Sequence, residues 1–153
     1  MKPNSSPTRY VLLLAGALLL GGCAAVNDLT MRAQASSAPA LAVIGERVLS
    51  GEMLIYTDRS GKLQLRSEGE PALSCMGALR YTATASGTVT LSCSDGTQAQ
   101  LRFTALGETS GYGSTPVGPI SFTYGLEPEP ARAWLTPPPG KRLVVSGDSL
   151  RIE

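Results

Sequence analysis

Three cysteines, no histidine and a scatter of carboxylates define the chemistry open to this 153-residue chain. Without histidine the commonest general base, the Ser-His triad and the commonest metal ligand are all missing. Glu68 and Glu70 stand in a polar turn before Pro71, and Asp95 lies in Ser94-Asp95-Gly96, where a turn favours aspartate. Serines and threonines abound, with no lysine at a nucleophile spacing. Cys75 and Cys93 could make a redox couple, but catalytic cysteines usually lie close in sequence near a helix start, and these do neither. Gly111-Tyr112-Gly113 invites a phosphate-loop reading that fails for want of the lysine, the following helix and an upstream βαβ pattern. It is kept as a candidate binding loop within a glycine-rich connection over residues 107–118. These residue types imply no catalysis, no metal and no cofactor.

The elements that position the two cysteines are strands. In residues 73–81 the odd positions Leu73, Cys75, Leu79 and Tyr81 share a face, and in residues 88–93 Val89, Leu91 and Cys93 alternate with Thr90 and Ser92. A turn centred on Thr84 sets Cys75 opposite Cys93, Gly77 opposite Leu91 and Leu79 opposite Val89, so that one register satisfies both strands. The following turn, Ser94-Asp95-Gly96, fits a three-residue loop ending in a glycine with positive φ. That loop pairs Leu91 with Ala99 and Val89 with Leu101. A two-residue loop would mix the faces. Ala99, Leu101, Phe103 and Ala105 then point inward, and Gln98, Gln100, Arg102 and Thr104 point to solvent.

Upstream, residues 47–56 read as a strand interrupted at Ser50-Gly51, and residues 62–66 alternate cleanly after the turn Asp58-Arg59-Ser60-Gly61. Downstream, residues 120–124 form another short strand. Glu127-Pro128-Glu129-Pro130 and Pro137-Pro138-Pro139-Gly140 cannot lie inside a sheet, so residues 125–140 read as an extended segment over the surface, pinned by the single tryptophan, Trp134. Leu143-Val144-Val145 and Leu150-Arg151-Ile152 could close a terminal hairpin across Ser146-Gly147-Asp148-Ser149.

The N-terminus is of another kind. Lys2 and Arg9 precede an apolar run over residues 10–20, shorter than the roughly 20 residues of a membrane-spanning helix. The run ends in Leu20-Gly21-Gly22-Cys23, which resembles the lipobox of bacterial lipoproteins. The resemblance implies a signal peptide over residues 1–22 and acyl chains on Cys23, which becomes the new N-terminus and holds the chain on a bilayer through lipid. Ala24, in place of the aspartate that retains many enterobacterial lipoproteins at the inner membrane, implies the outer membrane, with the domain facing the periplasm. With Cys23 consumed, Cys75 and Cys93 remain as one pair in an oxidising compartment and are assigned to a disulfide. Residues 23–40, rich in Ala, Ser and Gln, read as lipidated terminus and tether, residues 41–125 as the β domain, and residues 126–153 as a proline-rich extension. Without Lys2 and Arg9, 11 basic residues face 12 acidic ones, which gives no electrostatic case for nucleic acid.

The progression Cys75-Met76-Gly77, Tyr81, Cys93-Ser94-Asp95-Gly96, Phe103, Gly111-Tyr112-Gly113, Phe122-Thr123-Tyr124-Gly125 resembles a group of small, uncharacterised proteobacterial envelope proteins. The resemblance covers residues 50–125 and implies a β-rich fold with no established activity. The expected fold is all-β, a single small antiparallel meander sheet or partly closed barrel of about six to eight strands with one disulfide. The expected function is that of a lipid-anchored envelope protein with a binding or structural accessory role and an envelope protein as its partner. Inhibition of a cell-wall hydrolase such as lysozyme, and assembly of an outer-membrane apparatus, are the alternatives. Nothing in the sequence sets the oligomeric state.

Overall fold

The computed structural model describes Thr30 and residues 34–153. The expected signal segment and Cys23 lie outside the described residues. Ser36–Glu153 forms one unit, and within it eight strands close into an antiparallel barrel in which each strand pairs with its sequence neighbours and the last pairs with the first. The strands are β1 (Ser36–Ile44), β2 (Arg47–Ile55), β3 (Ser60–Ser67), β4 (Ser74–Ala83), β5 (Ser86–Cys93), β6 (Gln98–Ala105), β7 (Gly111–Ser114) and β8 (Ile120–Tyr124). A short helix, α1 (Pro128–Arg132), and a hairpin of β9 (Leu143–Ser146) and β10 (Ser149–Ile152) follow.

The expected registers hold. Cys75 pairs with Cys93, Gly77 with Leu91 and Leu79 with Val89, and an irregularity between Tyr81 and Ala83 brings Ala83 opposite Ser86. The three-residue loop at 94–96 pairs Leu91 with Ala99 and Val89 with Leu101, and Gly96 takes φ +88°. The β2–β3 connection repeats this device. Tyr56 N donates to Ser60 O and Arg59 N to Tyr56 O, as Cys93 N donates to Thr97 O and Gly96 N to Cys93 O. Arg59 fills the left-handed position there, at φ 64°. Each loop carries an aspartate at its centre. Asp58 Oδ1 accepts from Ser60 N and Ser60 Oγ, and Asp95 Oδ1 accepts from Thr97 N, bonds that hold both carboxyls below their usual range.

Closure depends on a match of small and large residues. β1 contributes Ala38, Ala40 and Ala42 to the interior, while its neighbour β8 contributes Phe122 and Tyr124, and Ala42 pairs with Phe122 and Ala40 with Tyr124. Gly113 lies beneath Phe122, Gly111 beneath Tyr124 and Gly87 beneath Phe103. An eight-stranded barrel is wide enough for its own side chains and little more. The rings fill it because the neighbouring positions are alanine or glycine.

Three expectations are corrected. The domain begins at Ser36, so residues 36–40, read as tether, belong to β1. β2 runs unbroken through Ser50-Gly51, because Gly51 meets the backbone of β3 so closely that a Cβ there would stand 1.8 Å from Gln64 O. Residues 125–140 are not simply extended. Pro128 begins α1, where a missing N–H costs nothing, and Ala131 N bonds back to Glu127 O.

The C-terminal extension has its own core on the outside of the barrel. Val43, on the outer face of β1, packs with Ala131, Leu135, Leu143 and Leu150, with Leu41 and Val48 at the margin. Ser121 and Thr123, outward on β8, are fully buried as well. Thr136 N donates to Ser121 Oγ at 2.8 Å. The expected terminal hairpin is present, with Ser149 opposite Ser146 and Gly147 at φ +61°.

Candidate functional site

Cys75 and Cys93 are joined in a disulfide with a Cα–Cα distance of 4.0 Å. They occupy a non-hydrogen-bonded pair, the neighbouring bond running from Ser94 N to Ser74 O, and such pairs bring Cα atoms closest. Both are buried, at 1% and 8% exposure. That enclosure shields the bond from an attacking thiolate and makes it a brace of the interior.

The candidate binding loop is not a loop. Gly111, Tyr112 and Gly113 lie in β7, a strand of the barrel wall between β6 and β8, with Gly111 opposite Ala105 and Tyr124 and Gly113 opposite Phe103 and Phe122. Both glycines are buried under rings, and a cradle of backbone amides for an anion does not exist there. Tyr112 points outward and stacks on Trp134, ring centroids 4.0 Å apart at 18°. The tryptophan pins the extension as expected, but does so from the surface, at 41% exposure. Trp134→Ala is expected to lower stability by about 1 kcal/mol through loss of this stack. Urea unfolding followed by tyrosine fluorescence and circular dichroism checks it, with Tyr112→Ala giving a similar loss and the double variant no further one.

The barrel interior is filled. The space between Ala42, Leu63, Leu91, Leu101 and Phe122 is too narrow to admit a water molecule. Among the described residues Tyr124 is the one tyrosine whose side chain is fully buried. Burial pushes its phenol well above the usual tyrosine range, and Tyr81 is near enough to add to the shift, yet the hydroxyl has no partner at hydrogen-bonding geometry. The phenol is held in its neutral form, and the Tyr124 side chain is fully buried. Among the described residues no group of three or more His, Cys, Asp or Glu side chains converges as a metal site.

The outer surface offers two features. The first is a groove of about 470 Å³ between the outer face of β2 and the terminal hairpin. Its floor is Leu41, Val48, Leu150 and Ile152, and its rim mixes Glu46, Glu68 and Asp148 with Arg47 and Arg151. Arg47 is partly committed, since its Nη1 donates to Pro71 O at 2.8 Å. The second is the wall formed by the outward side chains of β3, β4, β5 and β6. Lys62, Arg66, Arg80 and Arg102 are exposed on it among Gln64, Thr90, Gln98 and Gln100, with Met76 54% exposed near its centre.

Sequence reasoning placed the outward polar residues of β5 and β6 correctly and missed the groove. The groove arises only when β10 folds back against β2, and nothing local signals a contact between residues 41–68 and 148–152. The two short apolar runs of the terminal hairpin were the available sign.

The fold and its surface define a closed, disulfide-braced antiparallel β-barrel domain with a filled interior. Comparison with known proteins finds no matching family model, no matching curated protein and no matching solved structure.

Proposed function

We propose that this chain is a lipid-anchored, periplasm-facing envelope protein of the outer membrane, with a binding or structural accessory role rather than a catalytic one. The observation that carries the reading is the filled barrel interior, which leaves the outer surface as the place for recognition, joined to the lipobox at Leu20-Gly21-Gly22-Cys23. A barrel built to carry a small ligand keeps a cavity at its centre or mouth. Here the same volume is taken by Phe103, Phe122, Tyr124 and the leucines around them.

The surfaces suit macromolecular contact, and an envelope protein partner is the reading we favour. Inhibition of a cell-wall hydrolase loses its structural basis at residues 111–113, because the segment that would enter an enzyme cleft is a strand inside the barrel wall. Residues 115–119, between β7 and β8, keep that second reading open to assay, with Val117 78% exposed at the tip.

Cys23→Ser is expected to move the protein from the membrane pellet to the soluble periplasmic fraction after a salt wash. Wild-type protein should stay in the pellet until detergent is added. Retention of the Cys23→Ser protein in the outer-membrane pellet would contradict the anchor.

A further inference from the structure

We propose that the wall of β3 to β6 is the face by which the anchored barrel lies against a bilayer of anionic phospholipid, headgroup phosphates seating between Lys62 and Arg80. The inference rests on the lipid-anchor reading above and adds an orientation to it.

The argument begins with what the rest of the molecule covers. The C-terminal extension seals the outer faces of β1 and β8, and Trp134 lies over β7. The outward faces of β3 to β6 are left bare. On them the outward side chains of the strands include four cations, Lys62 and Arg66 on β3, Arg80 on β4 and Arg102 on β6, and no carboxylate. None of the four is ion-paired, the described salt bridges being Arg132 with Glu129 and Arg142 with Glu153. The nearest carboxylates are at the margins, Asp58 and Asp95 in turns and Glu52 on β2 opposite Gln64.

Register draws the cations together. Arg80 pairs with Thr88, and Thr88 with Arg102, so the two arginines stand in line across three strands at about 4.8 Å per strand. Lys62 pairs with Ala78, two residues along β4 from Arg80. Between Lys62 and Arg80 lies a shallow depression of about 380 Å³, lined also by Tyr56, Ser60, Thr88 and Thr90. Two cations and the hydroxyls of Tyr56, Thr88 and Thr90 line it, while Ser60 Oγ is taken up by Asp58, whose carboxylate stands at the edge within electrostatic reach of Arg80; the pair of cations suits a phosphate monoanion. Met76, exposed on the same wall, supplies an apolar side chain for the headgroup boundary, and cations around an apolar contact are the pattern of surfaces that lie in a membrane interface.

Charge complementarity sets the chemistry of the partner, and the chain sets its source. Cys23 lies 13 residues before Ser36, and a chain of that length reaches at most about 47 Å, so a lipidated terminus keeps the domain near headgroups. A cation near an anionic bilayer changes the docked population by about fivefold, so the four together suffice to orient a domain already held there.

The chain has two lysines beyond the signal segment, Lys62 on the wall and Lys141 in the extension, and they give an internal control. Processed protein, purified in detergent, is reconstituted into vesicles of phosphatidylcholine alone or of phosphatidylcholine with phosphatidylglycerol, floated, and labelled with an amine-reactive probe. The expected result is flotation with both, with Lys62 labelling reduced several-fold relative to Lys141 in the anionic vesicles alone and restored by high salt. Arg80→Gln with Arg102→Gln, both exposed positions, should restore Lys62 labelling without added salt. Equal labelling of Lys62 in floated vesicles of both kinds overturns the docking face and leaves the anchor standing. Flotation with anionic vesicles only, with Lys62 protected, supports the wall and overturns the anchor. Flotation with neither overturns both. Protection of Lys62 by soluble heparin on neutral vesicles, stronger than that by phosphatidylglycerol, overturns the membrane as partner in favour of a soluble polyanion.

Discussion

Replacing Gly113 by alanine is expected to destabilise the barrel by about 3 kcal/mol or more, although it adds a single methyl group. A Cβ at this position would lie 2.4 Å from Cε1 of Phe122 and 2.7 Å from the carbonyl oxygen of Arg102. Neither neighbour can yield cheaply. Phe122 is 1% exposed and packed between β1 and β7, and the Arg102 carbonyl belongs to the strand that pairs with β7. Relief requires β7 to move off β6 or off β8, and either movement opens the barrel. Gly96→Ala is the control, since Gly96 has φ +88° and no heavy atom within 4 Å of its would-be Cβ. It should cost about 1 kcal/mol, the penalty of a left-handed backbone alone. Urea midpoints measure both, and equal midpoints would mean that the ring-over-glycine packing does not hold the barrel closed.

Loss of the disulfide is the second large effect. Cys75→Ser combined with Cys93→Ser releases a loop of 18 residues, for which chain entropy gives a loss of about 3 kcal/mol. The serines add the cost of burying two hydroxyls where the sulfurs were 1% and 8% exposed. For a domain of this size the melting temperature should fall by roughly 10 °C or more. Cys75→Ala with Cys93→Ala removes the hydroxyl cost and should fall less far than the serine pair. Wild-type protein in strong reductant should approach the alanine variant once the buried bond is reached. A serine double variant that melts with the wild type would remove the disulfide from the account of stability.

The parts of this fold that could be read from sequence are those where large apolar residues alternate around a turn of defined length. Val89, Leu91 and Cys93 against Ala99, Leu101 and Phe103 admit one register, and Gly96 fixes the loop that sets it. β1 was hidden because its inward residues are Ala38, Ala40 and Ala42, which carry little β-propensity, while Leu41 and Val43 face outward. Pro39 lies within β1. It is tolerated because it stands where the β1–β8 ladder ends, its carbonyl still accepting from Gly125 N. β7 was hidden for the opposite reason. Its inward residues are glycines that Phe122 and Tyr124 cover, and a glycine beneath a ring looks locally the same as a glycine in a loop.

On the candidate site, the disulfide was legible because counting and register agree on the same two residues. The wall was legible residue by residue in Gln98, Gln100, Arg102 and Thr104, but its meaning as a cationic face depends on Lys62, Arg66 and Arg80 from two other strands. The groove depends on a contact between the barrel and the last residues of the chain. Periodicity reports which face a side chain takes, not which distant element will stand opposite it.

Intact-mass spectrometry of the protein extracted from membranes without reductant tests the central claim most directly. The account predicts a chain that begins at Cys23, carries the mass of acyl chains on that residue, and gains two hydrogens when reduced and denatured, from the single bond between Cys75 and Cys93. A chain that retains residues 1–22, or begins elsewhere without acyl mass, would contradict the anchored, exported barrel.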